Sequence, residues 1–126
     1  MKRLIVALLL LAGIFTATLY NARHLSMLTE HLNAQLAQAE ISVSTDQWGD
    51  AEELTCRAYH DWQAQSLYLH ILLRHNDTDD VNIGFEELRA LILQQDAADY
   101  AAASARLQMK IALLYEAEQL SLRNVL

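Results

Sequence analysis

An uncharged apolar run, LIVALLLLAGIFTATLY, occupies Leu4 to Tyr20. Coiled as a helix it spans roughly 25 Å at ~1.5 Å per residue, the short end of what crosses the hydrocarbon core of a bilayer. Lys2 and Arg3 precede it and Arg23 follows it. The competing reading is a cleaved signal peptide, whose apolar core is usually shorter and whose cleavage site needs small residues at −3 and −1. Thr16 with Thr18, or Tyr20 with Ala22, are poor matches, and no Cys follows directly to accept a lipid. The run reads as a retained anchor over residues 1–22. The Lys2–Arg3 pair keeps the N-terminus in the cytoplasm by the positive-inside rule, and Tyr20 stands where an interfacial aromatic belongs.

Residues 23–126 then form one acidic, extracytoplasmic helical domain. Proline is absent and glycine occurs three times, so the punctuation that hairpins of strands need is missing. All sixteen acidic residues lie from Glu30 onward, against six basic residues over the same stretch (Arg57, Arg74, Arg89, Arg106, Lys110 and Arg123). A surface of that sign is repelled by phosphate backbones, so nucleic acid is not an expected partner.

Apolar residues recur at helical spacing. Leu25, Leu28, Leu32, Leu36, Ala39 and Val43 mark a first helix, continuous with the anchor or nearly so. The cluster Ser42–Val43–Ser44–Thr45–Asp46 ends it, with Ser44, Thr45 or Asp46 as the next N-cap. A second helix is expected from about Gln47 to about His75, burying Trp48, Ala51, Leu54, Ala58, Trp62, Leu69 and Leu72. The run His75 to Asp80 reads as a break and a new start, its acids suiting the positive end of a helix dipole. Val81, Phe85, Leu88 and Ile92 mark a third helix. After a change of phase near Gln95–Asp96, Tyr100, Ala103, Leu107, Ile111 and Leu114 mark a fourth. The expected fold is all-α: a transmembrane helix followed by an antiparallel bundle or stacked hairpins of about four helices. Trp48 with Ala51 faintly echoes Tyr100 with Ala103, as in tetratricopeptide hairpins, but the offset is wrong for that repeat.

Constellations for chemistry fail on spacing. His70 and His75 are five apart and face away from each other on a helix. From Asp77 an EF-hand loop would need Gly where Asn82 stands and Glu where Leu88 stands. His24 and His31 share a face and read as exposed histidines; His60 and Asp61, as neighbours, do not meet. No Ser or Cys has a recognisable base. Cys56, the lone cysteine, reads as a small buried hydrophobe. Trp48 and Trp62 share a helix face and read as core rather than as an aromatic stripe. The apolar tail Leu120 to Leu126 is unusual for a free end. Leu122, Val125 and Leu126 stand at one-face spacing and are expected to dock into a groove of the bundle.

The order of a basic start, one hydrophobic helix, Asp46-x-Trp48-x-x-Ala51, Trp62, His75 followed by acids, and Leu120–Ser121–Leu122–Arg123–Asn124–Val125–Leu126 resembles a family of small anchored proteins from clostridia and their relatives. That family is catalogued as domain of unknown function number four-three-six-three. The resemblance covers nearly the whole chain and implies the architecture above without an activity. It singles out Trp48, Trp62, His75 and Asn124 as interaction or structural residues. The expectation is a non-enzymatic interaction or structural module at the outer face of the cytoplasmic membrane. It needs no cofactor or metal, holds lipid through its anchor, and meets another membrane or envelope protein. The alternative is a ligand or metal sensor, or an enzyme, built on the His75 acidic corner.

Overall fold

The computed structural model describes residues 1–65 and 75–125, with side chains over 1–65 and 78–116. The described residues form helices α1 (Lys2–Ser44), α2 (Trp48–Ala64), α3 (His75–Gln94) and α4 (Ala97–Val125), with no strand among them. The first helix is a single rod of 43 residues. Nothing in its sequence breaks it: no proline, and leucine and alanine, both strong helix formers, throughout. Residues 2–17 of it are exposed on all sides; its second half is one wall of a bundle.

In the bundle each helix packs on two neighbours: α1 on α2 and α4, and α3 on the same two. The short corners at 45–47 and 95–96 make successive helices antiparallel. The core is the set of stripes the periodicity marked. Leu25, Leu32, Leu36, Ala39 and Val43 of α1, Val81, Phe85, Leu88 and Ile92 of α3, and Tyr100, Ala103, Leu107, Ile111 and Leu114 of α4 are buried. From α2 come Ala51, Ala58 and Trp62, while Leu28, Trp48 and Leu54 pack half-buried against the rest. Each fully buried Leu, Ile or Phe contributes roughly 1.5–3 kcal/mol before entropy losses. Gly84 lets α3 approach α4 closely: a Cβ there would lie 2.7 Å from Leu107 Cδ1.

Both corners are built the same way. At the end of α1, Asp46 has φ 62°, its N–H donates to Val43 O (3.1 Å), and Gln47 N–H donates to Ser42 O (2.8 Å). At the end of α3, Gln95 has φ 52°, its N–H donates to Ile92 O (3.1 Å), and Asp96 N–H donates to Leu91 O (3.1 Å). These are Schellman caps, in which a left-handed residue, usually glycine, satisfies the last free carbonyls. Neither corner has glycine. The N-cap of α2 is therefore Gln47, which makes no side-chain cap, and not Ser44, Thr45 or Asp46 as the sequence suggested. Asp96, in the equivalent place, does cap: its Oδ1 accepts from Asp99 N–H at 3.1 Å.

Counted from these corners, the two hairpins match position by position. Thr29, Leu32, Leu36, Ala39 and Val43 correspond to Thr78, Val81, Phe85, Leu88 and Ile92. Ala51, Thr55, Ala58 and Trp62 correspond to Tyr100, Ser104, Leu107 and Ile111. All of these are buried. The echo of Trp48–Ala51 in Tyr100–Ala103 thus pairs the wrong positions, because the corner, not the aromatic, sets the register.

One further boundary differs from expectation. Helix α2 does not run on to His75: it ends at Ala64, where Gln65 N–H turns back to Trp62 O at 3.2 Å. No glycine or proline marks the stop, and the Leu69 and Leu72 that extended the pattern lie outside the described residues. The new helix start expected at His75 is where α3 begins, and the run His75 to Asp80 is itself helical; Thr78 is buried while Asp79 and Asp80 are exposed, as on one helical turn.

Candidate functional site

Among the described residues, the half of the bundle next to the apolar run carries a group of polar contacts between α1 and α2. The run itself is bare: Leu4, Ile5, Leu9, Ile14 and Leu19 are each more than half exposed, and an 18-residue window of α1 is apolar enough, with no part of it buried, to cross a membrane. At its upper end Tyr20 stacks on His24, ring centroids 6.3 Å apart. Above it α1 and α2 are joined by a polar seam. His24 Nε2 pairs with Gln65 Oε1 at 3.2 Å, and His31 Nε2 with Asp61 Oδ2 at 2.9 Å. The same Asp61 oxygen accepts from Gln35 Nε2 at 3.2 Å. A carboxylate and an amide oxygen only accept, so both imidazoles carry a proton on Nε2 here. Of the two histidines read as exposed, His31 is exposed and His24 half-buried, and both also make contacts between helices; Asp61 faces His31 across the seam rather than its neighbour His60.

A groove between α1 and α4 opens at the same end, lined by Ser26, Thr29, Glu30, Asn33, Tyr115 and Glu116. Asn33 Nδ2 donates to Gln108 O at 3.5 Å, while its Oδ1 is buried without a donor among the described residues. Counting from the corners explains this. The equivalent residue is Asn82, whose Oδ1 accepts from Trp62 Nε1 at 2.8 Å. Where Trp62 stands in one hairpin, Ile111 stands in the other, and Ile111 has no donor to give.

Of the four residues singled out by the sequence, the two whose side chains are described, Trp48 and Trp62, are not brought together. Trp48 lies at the far corner, half-buried, its Nε1 donating to Asp46 Oδ1 at 2.8 Å. Trp62, only 3% exposed, is core and ties α2 to α3 through Asn82. The two indoles sit roughly 21 Å apart along α2 at ~1.5 Å per residue. His75 and Asn124 are placed on α3 and α4, with side chains outside those described, as are the side chains of Asp77 and of Leu120 to Val125. Leu126 lies outside the described residues, so the docking expected of the tail falls there too. Among the described residues no group of three His, Cys, Asp or Glu could hold a metal ion. Cys56 is exposed, not buried; it adjoins Thr55 on α2 but turns off the core face.

What sequence reasoning missed is the polar content of the core. Thr55 Oγ1 and Tyr100 OH, both buried, bond at 2.9 Å between α2 and α4, diagonally across the bundle. Burial pushes the Tyr100 hydroxyl pKa up, the Thr55 bond opposes that, and Glu40 adds to the rise. Tyr59, stacked on Phe85 with centroids 5.0 Å apart, is likewise raised, by burial and then by Glu86. At the second corner the Asp99 carboxyl is raised by its hydrogen bond to, and repulsion from, Asp96. The Thr at 55 stood at one-face spacing with Ala51, Ala58 and Trp62, which is the one signal that could have found it.

The family model described as a domain of unknown function, DUF4363, matches residues 19–125. The match begins at the top of the apolar run and takes in the bundle and the end of α4. No curated protein matches the chain, and no solved structure does.

Proposed function

The chain belongs to the DUF4363 family, and from that premise we propose that it is a non-enzymatic interaction or structural module held at the outer face of the cytoplasmic membrane by α1. The observation that carries the reading is the unbroken α1. Its first half is apolar and bare; its second half is buried on α2 and α4. A helix shared in this way leaves no flexible linker, so the bundle is held at a fixed height and tilt above the bilayer. That suits a protein that presents a surface to a neighbour in the same membrane.

Lys2 and Arg3 favour an N-terminus in the cytoplasm, which sets the acidic bundle outside. The partner is another membrane or envelope protein, met by the helix faces and grooves of the bundle. Protease added to intact protoplasts should degrade the bundle and leave a short anchored fragment; full protection would reverse the orientation. Cross-linking of the full chain in its membrane should give a discrete higher-mass species. Recovery of free monomer alone, in every growth state, would argue against an interaction role.

A further inference from the structure

We infer that the partner of this module is a second copy of the same chain, docked along the outward face of α4 in a parallel, twofold pair. The inference names the partner of the proposed function and rests on the reading of α1 as a membrane span. Its first support is that α4 is apolar on two opposite faces. The inner face, Tyr100, Ala103, Leu107, Ile111 and Leu114, is buried in the bundle. Opposite it stand Ala98, Ala102, Ala105, Met109 and Leu113, at helical spacing and all exposed. The two large side chains among them, Met109 and Leu113, are 65% and 53% exposed. A helix apolar all round is a covered helix, and among the described residues nothing of this chain covers the outer face.

The second support is the contrast with α2 and α3. Asp50, Glu52 and Glu53 of α2 and Asp79, Asp80 and Glu86 of α3 are exposed, and like charges oppose docking of two copies through those helices. On α4 no acid stands between Asp99 and Glu116.

The third support is the charge on the two flanks of the outer face. On the α3 side Arg106 bonds Glu87 at 2.9 Å, and one turn further Lys110 is exposed, with no ion pair among the described residues. On the α1 side Glu40 accepts from Gln108 Nε2 at 3.5 Å, and Glu30 and Glu116 line the groove. One flank thus offers a free cation and the other carboxylates. A twofold axis parallel to α4 sets the Lys110 flank of each copy against the carboxylate flank of the other, so the patch is complementary to itself.

The membrane supplies the geometry this axis needs. Chains anchored in one bilayer by the same unbroken α1 stand parallel and at one height, so each residue of α4 meets its own equivalent. One helix face is narrow for a dimer in free solution, where stable interfaces bury about 1,200–2,000 Å². Confinement to a shared membrane raises the effective concentration of the second copy.

The test uses the full chain in phosphatidylcholine vesicles. In a Cys56→Ser background, Met109→Cys or Ala102→Cys places one thiol on the outer face of α4. The native chain, whose exposed Cys56 lies on the diagonally placed α2, is the control. Circular dichroism qualifies each variant, two positions guard against the failure of one, and flotation with the vesicles tests the anchor separately. Mild oxidation should give a disulfide-linked species of twice the chain mass from at least one α4 position, in about tenfold excess over Cys56. Adding Lys110→Glu should weaken association about tenfold, since the twofold axis counts each rim contact twice. Adding Glu30→Lys and Glu116→Lys to that variant should restore it. Thiols on α4 that link no better than Cys56, on chains that float, would overturn the inference and leave the anchor reading standing. Linking that Lys110→Glu leaves unchanged would overturn the twofold pairing of the flanks. Chains that do not float would sink the anchor reading and this inference with it.

Discussion

The hydrogen bond between Thr55 and Tyr100 offers a quantitative test of the bundle. Both side chains are fully buried and their oxygens are 2.9 Å apart. Tyr100→Phe removes one hydroxyl and leaves the other on a helix, where a threonine can turn to the carbonyl four residues back. The expected loss is about 1 kcal/mol, the net worth of a typical hydrogen bond. Thr55→Val keeps the shape but leaves the phenol without this partner in a core that offers little else, which costs about 1–3 kcal/mol. The double variant removes both groups together and leaves no orphan, so it should be less unstable than the singles predict by about 1 kcal/mol. Thermal unfolding of the full chain in nanodiscs, followed by near-ultraviolet circular dichroism, reads this out; 1 kcal/mol moves the Tm of a domain near this size by roughly 4–8 °C. The pair also has a pH signature. Burial raises the folded pKa of Tyr100 above its ordinary 10.0, so the folded state holds its proton when the unfolded state has lost it. That contribution is fully present below about pH 10 and is lost as pH rises through the folded pKa. Tyr100→Phe should therefore flatten the alkaline loss of stability, leaving the share of Tyr59. Single-variant effects that add to the double within about 0.3 kcal/mol would show that the two hydroxyls do not share a bond.

Gln95→Gly should stabilise the chain by about 0.5–1 kcal/mol, because φ 52° at Gln95 strains any residue with a Cβ, less the entropy glycine gains when unfolded; a lower Tm would mean the corner is not left-handed. Trp62→Phe keeps the ring but strands the Asn82 carbonyl bonded at 2.8 Å and should cost about 1–2 kcal/mol, while Trp62→Ala should cost about 3–5 kcal/mol; equal effects in urea unfolding would remove the hydrogen bond from the argument. Gly84→Val should destabilise by about 1–3 kcal/mol, since even its Cβ would sit 2.7 Å from the buried Leu107 Cδ1; an unchanged midpoint would show that α3 and α4 do not touch so closely.

The sequence by itself determined the helices and the faces they bury. Spacing such as Val81, Phe85, Leu88 and Ile92 is a property of the covalent chain, and 3.6 residues per turn converts it into one stripe whatever the partner is. The same holds for the bare apolar half of α1, whose composition needs no fold to interpret it, and for the family resemblance carried by its motifs. Tertiary structure alone decided what each stripe meets. The stripe of α2 contains Thr55, but only the diagonal approach of α4 supplies Tyr100. His31 and Asp61, thirty residues apart, are joined because the Asp46 corner sets the register of α1 on α2. That corner was hard to read, because its left-handed residue is an aspartate and its twin a glutamine, where local rules expect glycine. Trp62 satisfies Asn82 while Ile111 leaves Asn33 Oδ1 without a donor among the described residues. No local pattern distinguishes those two asparagines, because hydrogen-bond satisfaction depends on the neighbouring helix, and the neighbour is chosen by packing of the whole bundle.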